Sequence, residues 1–228
     1  MGAACGELAD APRVEAREPV LVCAACGRRA PFRRLPLFCL TGPSGTGKST
    51  VGRLLSAWLG ERVVVLEQDV LWLAGLRDPT DAHRQFRSTW LRLVSTLNQS
   101  GRPVLLCGTV VPEELERLSE RVLLGEIRYL ALVCERAELG ARLRRRPEWR
   151  EWDEPRIAEM LDFKDWLRES APSLCPAVES LDTTDRSVDE TARQVYSWVL
   201  RGRGATHRIR QLRRTRFRRT AGVMRRGC

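Results

Sequence analysis

A glycine-rich segment of eight residues constrains the fold of this 228-residue chain more than any other feature. Residues 42–49, Gly-Pro-Ser-Gly-Thr-Gly-Lys-Ser, fit the pattern G-x-x-x-x-G-K-[ST]. In this pattern backbone N–H groups surround a phosphate, the lysine reaches the β- and γ-phosphates, and the last hydroxyl binds Mg²⁺. Of the 39 lysines and arginines only two are lysines, and Lys48 is one of them. The residues predicted to bind the nucleotide here are Gly42, Pro43, Ser44, Gly45, Thr46, Gly47, Lys48, Ser49 and Thr50, with Ser49 also a magnesium ligand.

The pattern is a phosphate-binding loop only when it connects a strand to a helix. Upstream, Leu37–Thr41 is a short apolar run typical of a buried parallel strand. Downstream, apolar residues recur at helical spacing through residues 51–59, and Gly60 follows where a glycine often ends a helix. The context therefore supports the loop, and the helix N-terminus would add its partial positive charge.

Predicted strands and helices alternate along the rest of the chain. Strands are expected at residues 37–41, 62–66, 104–107, 127–134 and 177–181. Helices are expected at residues 51–59, 70–76, 81–99, 113–123, 137–146, 155–169 and 188–201. Such alternation predicts an α/β fold in which helices cover both faces of a parallel sheet. We assign this domain to residues 37–200, after an N-terminal extension, residues 1–36, that has one short predicted strand at residues 19–23.

The positive charge is concentrated at the C-terminus. The net charge is +10, and residues 201–228 contain eleven arginines and no acidic residue. This arginine-rich tail could bind nucleic acid or an anionic membrane, but a solvated, disordered terminus is the favoured interpretation. No apolar stretch approaches the length of a membrane span, and the proline-interrupted N-terminus does not resemble a signal peptide. We expect a cytoplasmic protein, and the sequence leaves its oligomeric state open.

Cys23-Ala-Ala-Cys26-Gly27 resembles one knuckle of a zinc ribbon. Zinc needs four ligands, and no second C-x-x-C or nearby histidine pair supplies the other two. A degenerate knuckle and a zinc site shared across a dimer both stay open. A disulfide framework is not expected, because a reducing compartment keeps thiols free.

With five strands assigned, residues 37–201 resemble the small P-loop kinases, which include adenylate, shikimate and gluconate kinases and chloramphenicol phosphotransferase. The resemblance implies a three-layer α/β/α sandwich with a five-stranded parallel sheet of order 2-3-1-4-5, a helical acceptor-binding insert and a lid. It also implies ATP and Mg²⁺ as cofactors. The acidic residue that follows the third strand in many P-loop NTPases is absent from residues 105–109, which argues against a motor or switch ATPase.

An acidic pair follows the second predicted strand. Glu67-Gln68-Asp69 looks like the pair with which shikimate- and gluconate-type kinases hold the acceptor and the magnesium shell. Asp69 is predicted to orient the acceptor hydroxyl, to accept its proton, and to contact Mg²⁺ directly or through water. The alternative is a carboxylate that caps the following helix.

Two arginines are predicted to act from the lid, which we assign to about residues 145–155. The segment from Arg142 to Pro147 looks like the end of the helix that carries the lid in these kinases. Guanidinium groups delivered there neutralise the phosphoryl group during transfer. We favour Arg142 and Arg146, one helical turn apart, with Arg150 in reserve. A solvated arginine face is the alternative.

Two further segments match the family more weakly. Residues 72–90 occupy the position of the acceptor-binding insert, where Arg84 and Arg87 could bind an acidic acceptor or face water. Thr183 and Asp185 lie in a loop that resembles the adenine-binding loop of adenylate-type kinases.

The favoured hypothesis is an ATP-dependent kinase that transfers the γ-phosphate to a small-molecule or nucleotide acceptor, whose identity the sequence does not give. One alternative is a polynucleotide 5′-hydroxyl kinase or related RNA enzyme that uses the arginine-rich tail, with steep salt dependence. Another is an ATP-binding sensor with little turnover, coupled to the Cys23–Cys26 knuckle.

Overall fold

The computed structural model describes residues 13–15 and 20–203. Residues 204–228 of the arginine-rich tail lie outside the described residues, so the favoured interpretation of a solvated, disordered terminus and the alternative of nucleic-acid binding both stay untested. In the described ranges no helix combines the length and the apolar character that crossing a membrane requires.

The N-terminal extension forms a small antiparallel sheet, although only its middle strand was predicted. Its strands are β1 (Arg13–Glu15), β2 (Val20–Val22) and β3 (Arg29–Pro31), in the order β1-β2-β3. The turn between β2 and β3 contains the two knuckle cysteines.

The main sheet has five strands, all parallel. They are β4 (Leu37–Thr41), β5 (Val64–Glu67), β6 (Val104–Cys107), β7 (Ile127–Val133) and β8 (Val178–Asp182). Their order is β5-β6-β4-β7-β8, which confirms the predicted order 2-3-1-4-5. Because β4 lies in the centre, the glycine-rich loop that follows it lies at the middle of the sheet's carboxyl edge.

Helices cover both faces of this sheet. They are α1 (Lys48–Leu59), α2 (Arg84–Asn98), α3 (Pro112–Glu116), α4 (Arg136–Arg144), α5 (Glu154–Ser170) and α6 (residues 188–203). Alternate residues of β4 pack on opposite faces, as the two-residue period of a strand requires. Leu37 and Cys39 join the core with α2 and α5, whereas Phe38 and Leu40 join the core with α1 and α6. The predicted fold class is confirmed.

The segment between β5 and α2 differs from the prediction. Residues 70–76 were expected to be one helix, but the chain forms three short 3₁₀ helices instead, Gln68–Leu71, Ala74–Leu76 and Pro79–Asp81. Pro79 begins the last of these, and the Asp78 side chain accepts a hydrogen bond from the Thr80 N–H at 2.9 Å. Ala82 and His83 then adopt left-handed backbone angles, which no α-helix accommodates, so α2 begins only at Arg84.

Candidate active site

The glycine-rich loop connects β4 to α1 with a backbone that side chains would obstruct. Gly42, Gly45 and Gly47 have φ angles of 122°, 93° and 94°, in the region that favours glycine. A Cβ atom on Gly42 would lie 2.3 Å from the carbonyl oxygen of Leu132 in β7. The glycines of the pattern are therefore required by the path of the chain as well as by an anion.

Lys48 lies at the start of α1 and folds back over the loop. Its Nζ donates hydrogen bonds to the carbonyl oxygens of Gly42, at 2.6 Å, and Pro43, at 2.8 Å. Burial lowers the pKa of Lys48 to about 8, partly opposed by the nearby carboxylate of Asp69, while Arg146 lowers it further. The ammonium is thus held in a desolvated place where an anionic ligand would stabilise its charge.

The acidic pair lies at the end of β5, beside the start of α1. Ser49 Oγ donates a hydrogen bond to Glu67 Oε2 at 3.1 Å, and burial raises the pKa of Glu67, which that hydrogen bond partly offsets. Glu67 reaches this place because Gly52 has no side chain, since a Cβ there would lie 3.1 Å from Glu67 Oε1. Asp69 follows in the first turn of the 3₁₀ helix. That helix has no side-chain cap, so neither carboxylate performs the capping role that was the alternative.

A cavity of about 700 Å³ joins these elements. Its walls come from the glycine-rich loop and the first turns of α1, from the ends of β5 and β6, and from residues between Arg146 and Met160. The predicted nucleotide-binding residues that line it are Ser44, Gly45, Gly47, Lys48, Ser49 and Thr50, and Glu67 and Asp69 line it too. Among the described residues five basic and three acidic side chains line the cavity, so it suits an anionic ligand.

The two favoured lid arginines do not lie together. Arg146 lines the cavity, but Arg142 donates hydrogen bonds to Glu138, at 2.7 Å, and to the carbonyl oxygens of Thr183, at 3.2 Å, and Thr184, at 3.4 Å. The prediction that both arginines share one helix face was wrong, because α4 ends at Arg144. The structure therefore places Arg142 in contacts that hold the loop after β8, away from the cavity.

The arginines between residues 144 and 150 differ in whether they form ion pairs. Arg144 and Arg145 pair with Glu154 and Glu138, respectively. Arg146 and Arg150 form no salt bridge with any residue in the described ranges, and both line the cavity. Burial lowers the pKa of Arg146, and the charge of Arg150 lowers it further. Two guanidinium groups that lack an acidic partner among the described residues thus line the same cavity as the phosphate-binding loop.

The arginines predicted to bind an acidic acceptor lie elsewhere. Arg87 forms an ion pair with Glu114 and donates to the carbonyl oxygen of Ala82. Arg84 is exposed at the first turn of α2. Neither arginine lines the cavity, so the structure does not place the predicted acceptor-binding residues at this site.

The predicted adenine-binding loop follows β8. Thr183 is buried, and its hydroxyl donates to the carbonyl oxygen of Val133 at 3.0 Å. Asp185 is exposed on the same loop. This loop lies on the β7–β8 side of the glycine-rich loop, whereas the acidic pair lies on the β5–β6 side.

The oxygen donors near the loop fit Mg²⁺. This ion prefers oxygen ligands, keeps several waters, and binds through one or two carboxylates together with phosphates. Ser49 Oγ, Glu67 and Asp69 provide such donors on one cavity wall.

Zinc lacks a comparable site among the residues that the structure covers, where no group of three or more His, Cys, Asp or Glu side chains could hold a metal. The Cys23–Gly27 turn is closed by a hydrogen bond from the Gly27 N–H to the Cys23 carbonyl oxygen at 2.9 Å. Cys5 and Cys228 lie outside the described residues. A degenerate knuckle and a zinc site shared across a dimer therefore both stay open.

Sequence reasoning missed several cavity residues. Arg53 lies one turn after Ser49 on α1, and Arg156 lies in the first turn of α5, just after the lid. Helical spacing from Ser49 would have found Arg53. Trp72, which the sequence analysis placed in the acceptor-binding insert without a role of its own, also lines the cavity.

Comparison with known proteins agrees with this fold. A family model described as "AAA domain" matches residues 39–166, more than half of the chain. A 91-residue segment is 33% identical to Lon protease from Flavobacterium johnsoniae. That match includes 37% of this chain and spans only 10% of the protease, so it carries none of the protease's activity to this chain.

Solved structures of kinases are also similar. A sugar kinase from Janibacter sp. has a TM-score of 0.52 at 13% identity, covering 74% of this chain and 95% of that one. A gluconokinase from Sinorhizobium meliloti has a TM-score of 0.49 at 17% identity, covering 77% and 97%. A shikimate kinase from Acinetobacter baumannii has a TM-score of 0.47 at 21% identity, covering 73% and 93%. The chain belongs to the AAA domain family, in the α/β fold of the P-loop kinases.

Proposed function

We propose that this protein is an ATP-dependent phosphotransferase that moves the γ-phosphate of ATP to an oxygen of a small-molecule or nucleotide acceptor. The observation that carries the proposal is the shared cavity. It brings together a phosphate-binding loop with its lysine, two carboxylates, and lid arginines that have no acidic partner in the described chain. Phosphoryl transfer needs groups that bind the donor phosphates, groups that orient the acceptor, and cations that neutralise the charge of the group in transfer.

The glycine-rich loop supplies the donor site. Its backbone N–H groups and the N-terminus of α1 would hold the β- and γ-phosphates. Lys48 would exchange its two carbonyl contacts, at 2.6 and 2.8 Å, for phosphate oxygens. This exchange improves the electrostatic environment of a buried ammonium, and it places the charge beside the bond that breaks.

Asp69 is the residue proposed to position the acceptor. Glu67 is already engaged by the Ser49 hydroxyl, whereas Asp69 lines the cavity one turn further on. Its carboxylate lines the same cavity as Lys48 and Arg146, so an acceptor beside it would lie near both the loop and the lid. A carboxylate there can orient an acceptor hydroxyl and take its proton as the new bond forms.

Ser49 and the carboxylates of Glu67 and Asp69 would hold Mg²⁺. When bound, the ion neutralises charge on the phosphates. Arg146, which also lines the cavity, would stabilise the negative charge that the phosphoryl group spreads over its oxygens, and the lid would exclude water.

The test is a transfer assay with γ-labelled ATP against nucleosides, nucleoside monophosphates, sugars, sugar acids, aminoglycosides and phenicols. The wild-type protein should label at least one acceptor, and Lys48→Ala should abolish the transfer while its circular dichroism and melting temperature stay close to those of the wild type. Full transfer by a folded Lys48→Ala variant would refute the assignment of the donor site. Failure of every acceptor, with ATP bound, would refute the transferase proposal.

A further inference from the structure

Trp72 is an exposed tryptophan at the acceptor side of the cavity. Its side chain is 40% exposed, although tryptophan is usually much more buried. The ring packs edge-to-face against Phe86 and against His83, both at 4.9 Å between ring centroids. The start of α2 therefore fixes the orientation of the ring before any ligand arrives.

The backbone couples this ring to the proposed acceptor carboxylate. The Trp72 N–H donates a hydrogen bond to the Asp69 carbonyl oxygen at 2.9 Å, which closes the short 3₁₀ helix. Both side chains line the same cavity. A molecule that packs on the Trp72 ring is thus held next to the carboxylate that would orient its reacting hydroxyl.

The cavity residues between Arg146 and Arg156 combine aromatic rings with cations. The Arg150 guanidinium lies 4.6 Å from the ring centroid of Trp149, and the guanidiniums of Arg146 and Arg156 lie 5.2 and 4.7 Å from that of Trp152. Such cation–π contacts hold the guanidiniums in place without neutralising them. This part of the cavity therefore offers flat apolar surface and positive charge together.

Trp72 lies away from the expected adenine site. Trp72 follows β5, on the side of the sheet opposite to β8 and its loop. The loop with Thr183 and Asp185, which resembles an adenine-binding loop, does not line the cavity. Trp72 is therefore the tryptophan on the acceptor side of the cavity, with the Arg77 guanidinium 5.6 Å from its ring centroid.

The cavity is lined by more basic than acidic side chains, five against three among the described residues. Lys48, Arg146 and Asp69 line the same cavity, where the proposed transfer would take place. Arg150 lies further along the lid and also has no acidic partner in the described ranges. It is left for a negative group on the acceptor itself.

We propose that the acceptor carries a planar aromatic ring and an anionic group, with the ring on Trp72 and the anion at Arg150. This inference rests on the proposed phosphotransferase function. In the reaction an acceptor oxygen forms a bond to the γ-phosphorus while the bond between that phosphorus and the β–γ bridging oxygen breaks. ADP leaves, and the acceptor proton passes to Asp69 and then to solvent.

The test measures binding, so that it does not depend on turnover. The full-length protein is saturated with ADP and Mg²⁺, which occupies the donor site, and is titrated calorimetrically with uridine and guanosine monophosphates, phenyl phosphate, ribose 5-phosphate and uridine. The ring-bearing phosphates should bind about 10-fold more tightly than ribose 5-phosphate, because base–aromatic stacking contributes on this scale. They should also bind more tightly than uridine, which has the ring without the charge.

Variants test separately which residue binds the ring and which binds the anionic group. Trp72→Leu should remove the preference for a ring, whereas Trp166→Leu, which changes an equally exposed tryptophan (39%) outside the cavity, should keep it. Arg150→Gln should weaken the binding of the ring-bearing phosphates and of ribose 5-phosphate, and should leave the affinity for uridine unchanged. Equal affinity for phenyl phosphate and the nucleotides would favour a simple aryl acceptor, and tighter nucleotide binding would favour a nucleobase; both support the proposal.

Equal binding of ribose 5-phosphate and the nucleotides by the wild type, or an intact ring preference in Trp72→Leu, would overturn the inference. Uridine binding as tightly as its monophosphate would overturn the anionic part. Labelled transfer to ring-free acceptors with no ring preference would refute this inference alone. A clear ring preference with no transfer to any acceptor would refute the phosphotransferase proposal alone.

Discussion

Binding of ATP should draw a proton onto Lys48 when the pH is near or above 8. In the free protein, burial lowers the pKa of this lysine to about 8. A bound triphosphate places several negative charges beside the ammonium and favours its charged form. The complex is therefore expected to keep Lys48 protonated at a pH where the free protein has lost much of that charge.

The size of the effect follows from the pKa of about 8. At pH 8.5 roughly three quarters of the free protein would hold a neutral Lys48, so binding should take up about 0.8 proton per ATP. At pH 7 the uptake should be only about 0.1 proton. The same linkage weakens the apparent affinity about 4-fold at pH 8.5 and about 11-fold at pH 9, relative to pH values well below 8.

Isothermal titration with Mg·ATP in two buffers of different ionisation enthalpy measures this uptake directly. ATP itself contributes little, because phosphates lose their last proton near pH 6. The Cys107 thiol also lines the cavity, but burial raises its pKa to about 12, so it stays protonated throughout. Lys48→Arg is the matched variant, since a guanidinium stays charged over this range and its binding should take up no proton at pH 8.5.

Two results would refute the reasoning. One is an uptake at pH 8.5 no larger than the uptake at pH 7, which would mean that Lys48 does not titrate near 8 in the free protein. The other is the same uptake in wild type and Lys48→Arg, which would place the titrating group elsewhere.

Three further substitutions test separate parts of the site. Asp69→Asn should lower kcat by about 10²-fold or more while the Kd for ATP changes little, and the reverse pattern in kinetics and titration would remove Asp69 as the acceptor base. Arg146→Ala should lower kcat by about 10²-fold in the same assay, whereas Arg145→Ala, which removes an exposed surface ion pair, should leave kcat within about 2-fold. Gly42→Ala would put a Cβ 2.3 Å from the Leu132 carbonyl oxygen and should destabilise the fold by about 2 kcal/mol or more in urea unfolding, so unchanged stability would contradict the geometry.

The sheet and the phosphate-binding loop could be predicted because local sequence determines them. Each glycine of the loop has a backbone angle or a close contact that a side chain would obstruct. The run Leu37–Thr41 is buried along its whole length, so its apolar character alone identifies a central strand. The strand order was available only through the family resemblance, since residue spacing does not give it.

The lid could not be assigned in the same way. Helical spacing puts Arg142 and Arg146 on one face only if the helix continues through both residues. It ends at Arg144, and Pro147 follows, so Arg146 leaves the helical period and faces the cavity. Which arginine is paired depends on Glu138 and on the carbonyl groups after β8, contacts that no local pattern encodes.

The position of Trp72 could not be predicted for a similar reason, although residues 72–90 were assigned to an acceptor-binding insert. The pattern of residues 70–76 predicted a helix, and a helix alone does not show which residues the Trp72 side chain would pack against. The short 3₁₀ turn Gln68–Leu71 ends at Trp72 instead, and the ring is then oriented by Phe86 and His83 at the start of α2. Its position depends on packing between segments that are more than ten residues apart.

The placement of the acidic residues favours transfer to a second substrate over the chemistry of a motor ATPase. In P-loop NTPases that act as switches or motors, an acid after a neighbouring strand holds the magnesium ion. Here β6 ends at Cys107, and Gly108 follows. A Cβ atom on Gly108 would lie 2.0 Å from Oε1 of the buried Gln68. This close contact leaves no room for an acidic side chain at that position. The carboxylates follow β5 instead, where Asp69 is fixed to Trp72 through one backbone hydrogen bond. An acid that serves only the metal needs no such partner, whereas an acid that must orient an acceptor gains from a rigid surface that holds the rest of that molecule.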